Sequence, residues 1–511
     1  MTEEGCGKDM GHCSNVGLAV RLGTGYPAAP FDPPRLYPEF ERSGINDDGV
    51  DPDNWVYSMV REALFRHVGG YESEGTEIDL GCLRSIGAVQ RIVIKPNWVY
   101  QQNRSEFSTT THASVLRPII DYVFLAFGTD VEIVVADTPL QSANIDLVWS
   151  DTGISALREH FAKKGLPVRF SDLRRERVVV DGAGYILDRV PLAGDPLGYV
   201  TVSLGKESFL EEISKEKTEF SVNDYEPWAA GCYHRPGDHR YLIPKSVLAA
   251  DLFVNVPKLK THCKAGITAC MKNLIGINGD KGWIPHFRKG APSEGGDEYA
   301  EDVRLVLKLK NKTRAMLQER NHTLYQVAYR IWRAFKNRLE TASGMRLTSG
   351  GAWPGNDTLW RSILDLVEVI TFCDHDGRLM NFPQRSHLCV VDGIIGGEGD
   401  GPLTPCAKNI GCIIASSDPV SADWTACRVI GFDWERIPQL YNAKRLRDRW
   451  DFFPSDPGSL TFNWANSGTG VSRISDLPVV CLKPPTGWIG HVEIAQALTR
   501  GMSLLSKTEQ T

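Results

Sequence analysis

Five short runs of almost uninterrupted apolar residues constrain the fold of this chain more than any other feature. They are Arg91–Ile94, Val131–Ala136, Leu252–Val256, Leu388–Val391 and Gly411–Ala415, each four to six residues long. Most of the stretches between them carry helical periodicity. A strand with one wet face alternates apolar and polar residues, whereas a strand in a parallel sheet covered on both faces is apolar throughout. The pattern predicts an α/β fold with a mainly parallel sheet covered by helices. Hydroxyl residues Ser108–Thr111 precede the apolar-periodic stretch Val115–Phe127, which is a helix-start signal, and Gly128 ends it. Residues 91–136 therefore read as strand, helix, strand with a right-handed crossover.

The rhythm breaks twice. Residues 150–245 contain short strand-like pieces at Val178–Val180, Tyr185–Leu187 and Tyr199–Leu204, and residues 287–350 include a long basic helical stretch. Both read as insertions in an α/β core spanning 55–484. Residues 1–54, rich in Gly, Pro and Asp, read as an irregular arm, and 485–511 as a C-terminal helix and tail. A hydrophobic content of 42% excludes a mainly disordered chain. Lys and Arg number 57 against 63 Asp and Glu, a net charge of -6, which argues against nucleic acid as the partner. No apolar run reaches the 18 or so residues of a transmembrane helix, and Met1–Cys6 lacks the basic and apolar character of a secretory signal. The expected location is cytoplasmic. The 12 cysteines include no Cys-x-x-Cys spacing, so no iron–sulfur motif is present in the chain.

Each apolar run stops at polar residues: Lys95 and Asn97, Asp137, Lys258 and Lys260, Asp392, and Asp418. In open α/β sheets ligands bind beyond the carboxyl ends of the strands. If the runs share one sheet, these residues meet in one crevice, suited to an anion with or without a bridging divalent cation. Within Pro257–His262, the alternation of Lys258, Lys260 and His262 puts all three on one face of an extended segment. Lys272 and Asn273 follow, and Gly276 permits close backbone approach. Lys95, Asn97, Lys258, Lys272 and Asn273 are the expected anion-binding set. Gly399 and Gly401, in the glycine-rich stretch Gly396–Pro402, would add backbone N–H groups. Asp137, Asp392 and Asp423 are the candidates for the cation, since hard cations prefer carboxylate oxygens. Lys260, His262 and His286 are the candidates for catalysis, because imidazole titrates near neutral pH. Asp418 followed by Pro419 also reads as an ordinary helix N-cap.

Taken in order, Ile92–Asn97, Asp137-Thr138-Pro139, Val256–His262, Thr268 with Lys272–Gly276, Lys281 with His286, Asp392-Gly393 with Gly401-Pro402, and Ser417-Asp418-Pro419 with Asp423 resemble the family called domain of unknown function 362. Gly355–Arg361 and Asp365 resemble a segment of its longer members. The resemblance spans roughly 90–435. Many members of that family carry a fused ferredoxin-like domain with cysteine-rich iron–sulfur motifs, and this chain has no such cysteines. The expected function is an enzyme acting on a small phosphate- or carboxylate-bearing substrate. The alternatives are a redox or cofactor-handling protein working with a separate ferredoxin, and a non-catalytic binding or assembly protein using the basic region 303–341.

Overall fold

The computed structural model describes residues 15–23, 25–41, 45, 49–68, 88–101, 107–181, 186–222, 229–318, 322–343, 346–464 and 473–494. Ten strands form its main sheet: β1 (Asn15–Val20), β2 (Arg91–Pro96), β3 (Glu132–Asp137), β4 (Val168–Asp172), β5 (Leu252–Val256), β6 (Lys258–His262), β7 (Gly266–Thr268), β8 (Ser386–Glu398), β9 (Cys406–Ser416) and β10 (Thr461–Trp464). The order along the sheet is β10-β1-β9-β8-β5-β2-β3-β4, with β6 pairing β8 and β7 pairing β6. Pairing is parallel throughout β8-β5-β2-β3-β4 and antiparallel at β8-β9 and β1-β9.

Both faces of this sheet are covered, for the reason the apolar runs predicted. Ile92, Ile94, Ile133, Val135, Leu252 and Val254 enter one core with helices α1 (Trp55–His67) and α2 (Ala113–Phe127). Val93, Val134, Phe253, Cys389 and Val391 point the other way. They enter a second core that contains α3 (Cys270–Asn273), α6 (Leu359–Phe372) and α7 (Pro419–Val429). Alternate residues of one strand thus feed opposite cores, and neither face can be polar.

Several boundaries differ from the sequence reading. The arm contains β1, which lies inside the sheet between β9 and β10. The first insertion begins later than expected, because Val168–Asp172 is the edge strand β4. Beyond it lie a hairpin, Glu176–Val180 with Ile186–Pro191, and a small sheet built on Tyr199–Ser203 and Asp238–Pro244. In the second insertion, Phe287–Arg288 pairs with Phe220–Ser221, and two helices follow, α4 (Arg304–Gln318) and α5 (His322–Ser343). Tyr185, part of an expected strand, lies outside the described residues, as does most of the expected C-terminal helix. Residues 485–494 hold only a single 3-10 turn, Thr486–Trp488. The start of α2 is capped not by the hydroxyl residues but by His112, whose ring accepts from the Ser114 N–H.

Candidate functional site: a lysine-lined cavity at the strand ends

The strand order reverses between β2 and β5, so the chain leaves their carboxyl ends in opposite directions along the sheet. Such a switch point leaves a crevice. Here it is a cavity of about 240 Å³. It is lined by Lys95 and Asn97 at the end of β2, by Asp137 and Thr138 at the end of β3, and by Lys260, His262, Cys263 and Lys264 from β6 and its turn. Thr268, Lys272, Asn273, Gly276, Lys281 and His286 close it from the segment that follows, with Pro402 and Leu403 at the far side.

Lys95 and Asp137 form the floor. Lys95 Nζ lies 2.8 Å from Asp137 Oδ1 and donates to Asn273 Oδ1 at 3.0 Å. Asp137 also accepts from the backbone N–H groups of Trp98 and Thr138, at 2.7 and 2.8 Å. A Cβ at Gly276 would fall 2.2 Å from Asp137 Oδ1 and 2.5 Å from Lys95 Nζ, so only glycine lets this turn lie on the ion pair. Asn273 Nδ2 donates to Asn255 Oδ1, tying α3 to β5. Lys281 Nζ donates to the Thr138 hydroxyl and the Ile275 carbonyl, both at 2.7 Å. Lys260 Nζ donates to the Thr109 carbonyl.

Five lysines and two histidines therefore surround one carboxylate, and that carboxylate is already paired with Lys95. The crowding shows in their protonation. Burial, reinforced by Lys272 and Lys258, holds the Lys260 amine well below the usual lysine range. Lys281 is held well down by burial, against the pull of Asp137. Lys272 is lowered to about 7 by burial and by neighbouring Lys264. Its amine has no hydrogen-bond or ion-pair partner among the described residues. The Thr268 hydroxyl, opposite Lys260 in the β6–β7 pair, is buried and likewise unpartnered.

The two imidazoles are held as opposite tautomers. His262 Nδ1 accepts from the Lys264 N–H at 3.1 Å, so its hydrogen sits on Nε2 when neutral. His286 Nδ1 lies 2.9 Å from the Ile284 carbonyl and must donate to it, which leaves Nε2 as the acceptor. Burial and the facing lysines keep both rings neutral, well below the usual histidine range. Burial also raises the Cys263 thiol, so this cysteine is not a ready thiolate.

The structure brings Lys95, Asn97, Asp137, Lys260, His262, Lys272, Asn273 and His286 to one cavity, and takes the remaining candidates elsewhere. Lys258 does not share the face of Lys260 and His262 in function. The pairing with β8 shifts register between Lys258 and Lys260, and Lys258 Nζ turns to Asp392 at 2.6 Å, with both side chains fully buried. Asp392 further accepts from Tyr26 Oη at 2.7 Å and from the His112 N–H at 3.1 Å. Asp423 accepts from the Cys270 and Met271 N–H groups and anchors the start of α3. Burial pushes its carboxyl up to about 8. The three aspartates proposed for a cation thus serve three different places. Among the described residues no three His, Cys, Asp or Glu side chains gather as a metal-binding group.

The glycine stretch is also not an anion cradle. Gly396 and Gly397 belong to β8, and the Gly399 and Gly401 N–H groups donate to the Lys483 and Gly399 carbonyls. Gly401 instead lets the chain press on β6, since a Cβ there would lie 2.1 Å from the Thr261 carbonyl oxygen. Lys264, Thr268 and Lys281, with Thr138 and Cys263, are polar cavity groups absent from the candidate set. Lys264 continues the every-second-residue series of Lys260 and His262, and that continuation was the available signal.

Fold and site together define a class: an α/β protein whose cationic cavity opens at the carboxyl ends of parallel strands. The chain belongs to the family described as Domain of unknown function (DUF362), whose model matches residues 92–207 and 201–428. Every cavity residue falls within those matches. No curated protein and no solved structure matches the chain.

Proposed function

We propose that the cavity binds a small phosphate- or carboxylate-bearing molecule and that the protein is an enzyme acting on it. The observation that carries this reading is the make-up of the cavity: five lysines line it with one carboxylate, which Lys95 already holds, and among the described residues the Lys272 amine and the Thr268 hydroxyl have no partner. Uncompensated buried charge is costly, and an anion relieves it. The size suits a metabolite rather than a polymer, since sites for drug-sized ligands run from about 300 Å³ upward. His286 Nε2 supplies a base and His262 Nε2–H a donor. Calorimetric titration with inorganic phosphate and with malonate tests the reading. The wild type should bind at least one, and Lys260→Met should weaken binding at least tenfold. Its thermal midpoint should hold or rise, because an apolar side chain of similar length avoids the cost of burying the amine. No heat of binding from either anion would remove the proposal.

A second reading is favoured by α4 and α5. Residues 303–343 carry ten Lys or Arg against two Glu, yet Leu305, Leu309 and Ile331 are 75%, 68% and 65% exposed. Basic helices with outward apolar side chains suit an anionic membrane surface. Co-sedimentation with phosphatidylserine vesicles, lost in a Leu305→Ser/Leu309→Ser/Ile331→Ser variant, is the expected outcome. Equal recovery of both proteins in the supernatant would sink it. No helix among the described residues is long and apolar enough to cross a membrane.

A further inference from the structure

The lysines of the cavity are not equivalent. Lys95 is committed to Asp137 and Asn273, Lys281 to Thr138 and the Ile275 carbonyl, and Lys260 to the Thr109 carbonyl. An ammonium spending its hydrogens on fixed acceptors is a good anion anchor and a poor nucleophile. Lys272 has no such partner. It is only 9% exposed and lines the cavity. Its backbone is pinned from both sides: Asp423 takes the Cys270 and Met271 N–H groups, and the Asn273 side chain bonds Asn255 and Lys95. The side chain therefore leaves a fixed base and ends in the cavity without a hydrogen bond to break before it reacts.

We propose that Lys272 is a covalent catalytic residue that forms an imine with a substrate carrying an aldehyde or ketone next to its anionic group. This rests on the reading of the cavity as an anion site and names the substrate class: a small oxo acid or a phosphorylated aldehyde or ketone. The neutral Lys272 amine attacks the carbonyl carbon, and the C–N bond forms as the C=O π pair moves to oxygen. His286 Nε2 carries one proton from the new ammonium nitrogen to the alkoxide, giving the neutral carbinolamine, and then carries the remaining N–H proton to the carbinol hydroxyl. That hydroxyl leaves as water while the nitrogen lone pair closes the C=N bond. The balance is amine plus carbonyl giving imine plus water, and no oxidant or reductant enters. The His262 Nε2–H and the Thr268 hydroxyl are the donors available to the carbonyl oxygen, and Lys260, Lys264 and Lys281 hold the anionic group.

The amine is available near neutral pH because it is buried and because Lys264 and Lys95 lower it further against the opposing pull of Cys263. Lys264, Cys263 and Lys95 act on it directly, and its own charge in turn depresses His262, His286, Lys260 and Lys281. Amines of this kind serve as Schiff-base lysines.

Borohydride reduction of the full chain in the presence of pyruvate or dihydroxyacetone phosphate tests the proposal. Intact mass should show one reduced adduct, and peptide mapping should place it on Lys272. Lactate and glycerol 3-phosphate, which carry the anion but no carbonyl, should give none. Trapping should rise about tenfold per pH unit up to about pH 7 and level off above it. Lys272→Arg should lose the adduct. Mapping on the wild type needs no variant to fold. Phosphate binding without an adduct on Lys272, or with adducts scattered over exposed lysines, would overturn the imine and leave the anion site standing. Absence of both anion binding and trapping would overturn both.

Discussion

At the scale of single residues, the cavity depends on how tightly charge and backbone are fitted. Gly276→Ala would drive a methyl group into the Lys95–Asp137 pair, with the nearest oxygen 2.2 Å away. Overpacking of this kind costs about 1–3 kcal/mol. The expected result is a lowered thermal midpoint together with lost phosphate binding, whereas Gly231→Ala, whose added carbon would meet only the Phe220 carbonyl oxygen at 3.9 Å, should leave binding unchanged. A second expectation concerns pH. Burial and neighbouring Lys264 lower the Lys272 amine to about 7, and a bound anion favours its charged form. Below about pH 7 the amine is already protonated and affinity is flat. Above it, each binding event must take up a proton, so Kd for phosphate should rise toward tenfold per pH unit. Titrations at pH 6, 7, 8 and 9, corrected for the ionisation of phosphate itself, read this slope, and Lys272→Arg should flatten it. A slope of zero in the wild type would mean that Lys272 does not face the anion.

At the scale of elements, part of the site was readable and part was not. Asp418 is the N-cap expected of it, accepting from the Val420 and Ser421 N–H groups at 2.8 Å, with Pro419 in the first turn of α7. Asp418→Ala should cost about 0.5–2 kcal/mol, read as a lower midpoint in urea. Lys260 and His262 were readable because alternation in a strand is a local rule. Lys258 obeys the same rule and still misleads, since the register shift against β8 is a property of two strands and not of one. Its true partner, Asp392, was named for a cation, and the two form a fully buried ion pair. Breaking such a pair from one side costs roughly 3–5 kcal/mol. Asp392→Asn should therefore destabilise strongly, and Lys258→Met/Asp392→Leu should recover much of the loss in thermal unfolding. If the double variant is no better than the single one, the pair is not what holds this end of β8. Lys264 was open to the same alternation rule, whereas what brings Thr268 opposite Lys260 is the pairing of β6 with β7, to which apolar periodicity is blind.

At the scale of the whole molecule, the five apolar runs gave away the parallel centre of the sheet and little of its margins. Residues 1–50 look irregular because Gly, Pro and Asp dominate their composition, and the six residues Asn15–Val20 are too few to stand out from them. Yet Gly17–Val20 pairs with Cys412–Ala415 on one side, and Asn15–Leu18 with Thr461–Trp464 on the other. A Cβ at Gly17 would lie 2.1 Å from the Ala63 carbonyl oxygen, so α1 lies directly on this strand. Truncation after residue 22 should expose the edge of β9 and leave β10 without a neighbour. The expected outcome is aggregation on expression, measured as loss of the monomer peak in gel filtration. A monodisperse, fully folded product would show that β1 is dispensable.

The same arrangement sets a timetable for the chain on the ribosome. The strand translated first must stay unpaired until β9 and then β10, at residues 406–416 and 461–464, emerge. At roughly 5–20 residues per second, that interval is about 20–90 s. During it α1 can cover only one face of the strand, and Val16 and Leu18, fully buried at the end, belong to the core on the other face. The protein seals its sheet only when its two ends meet.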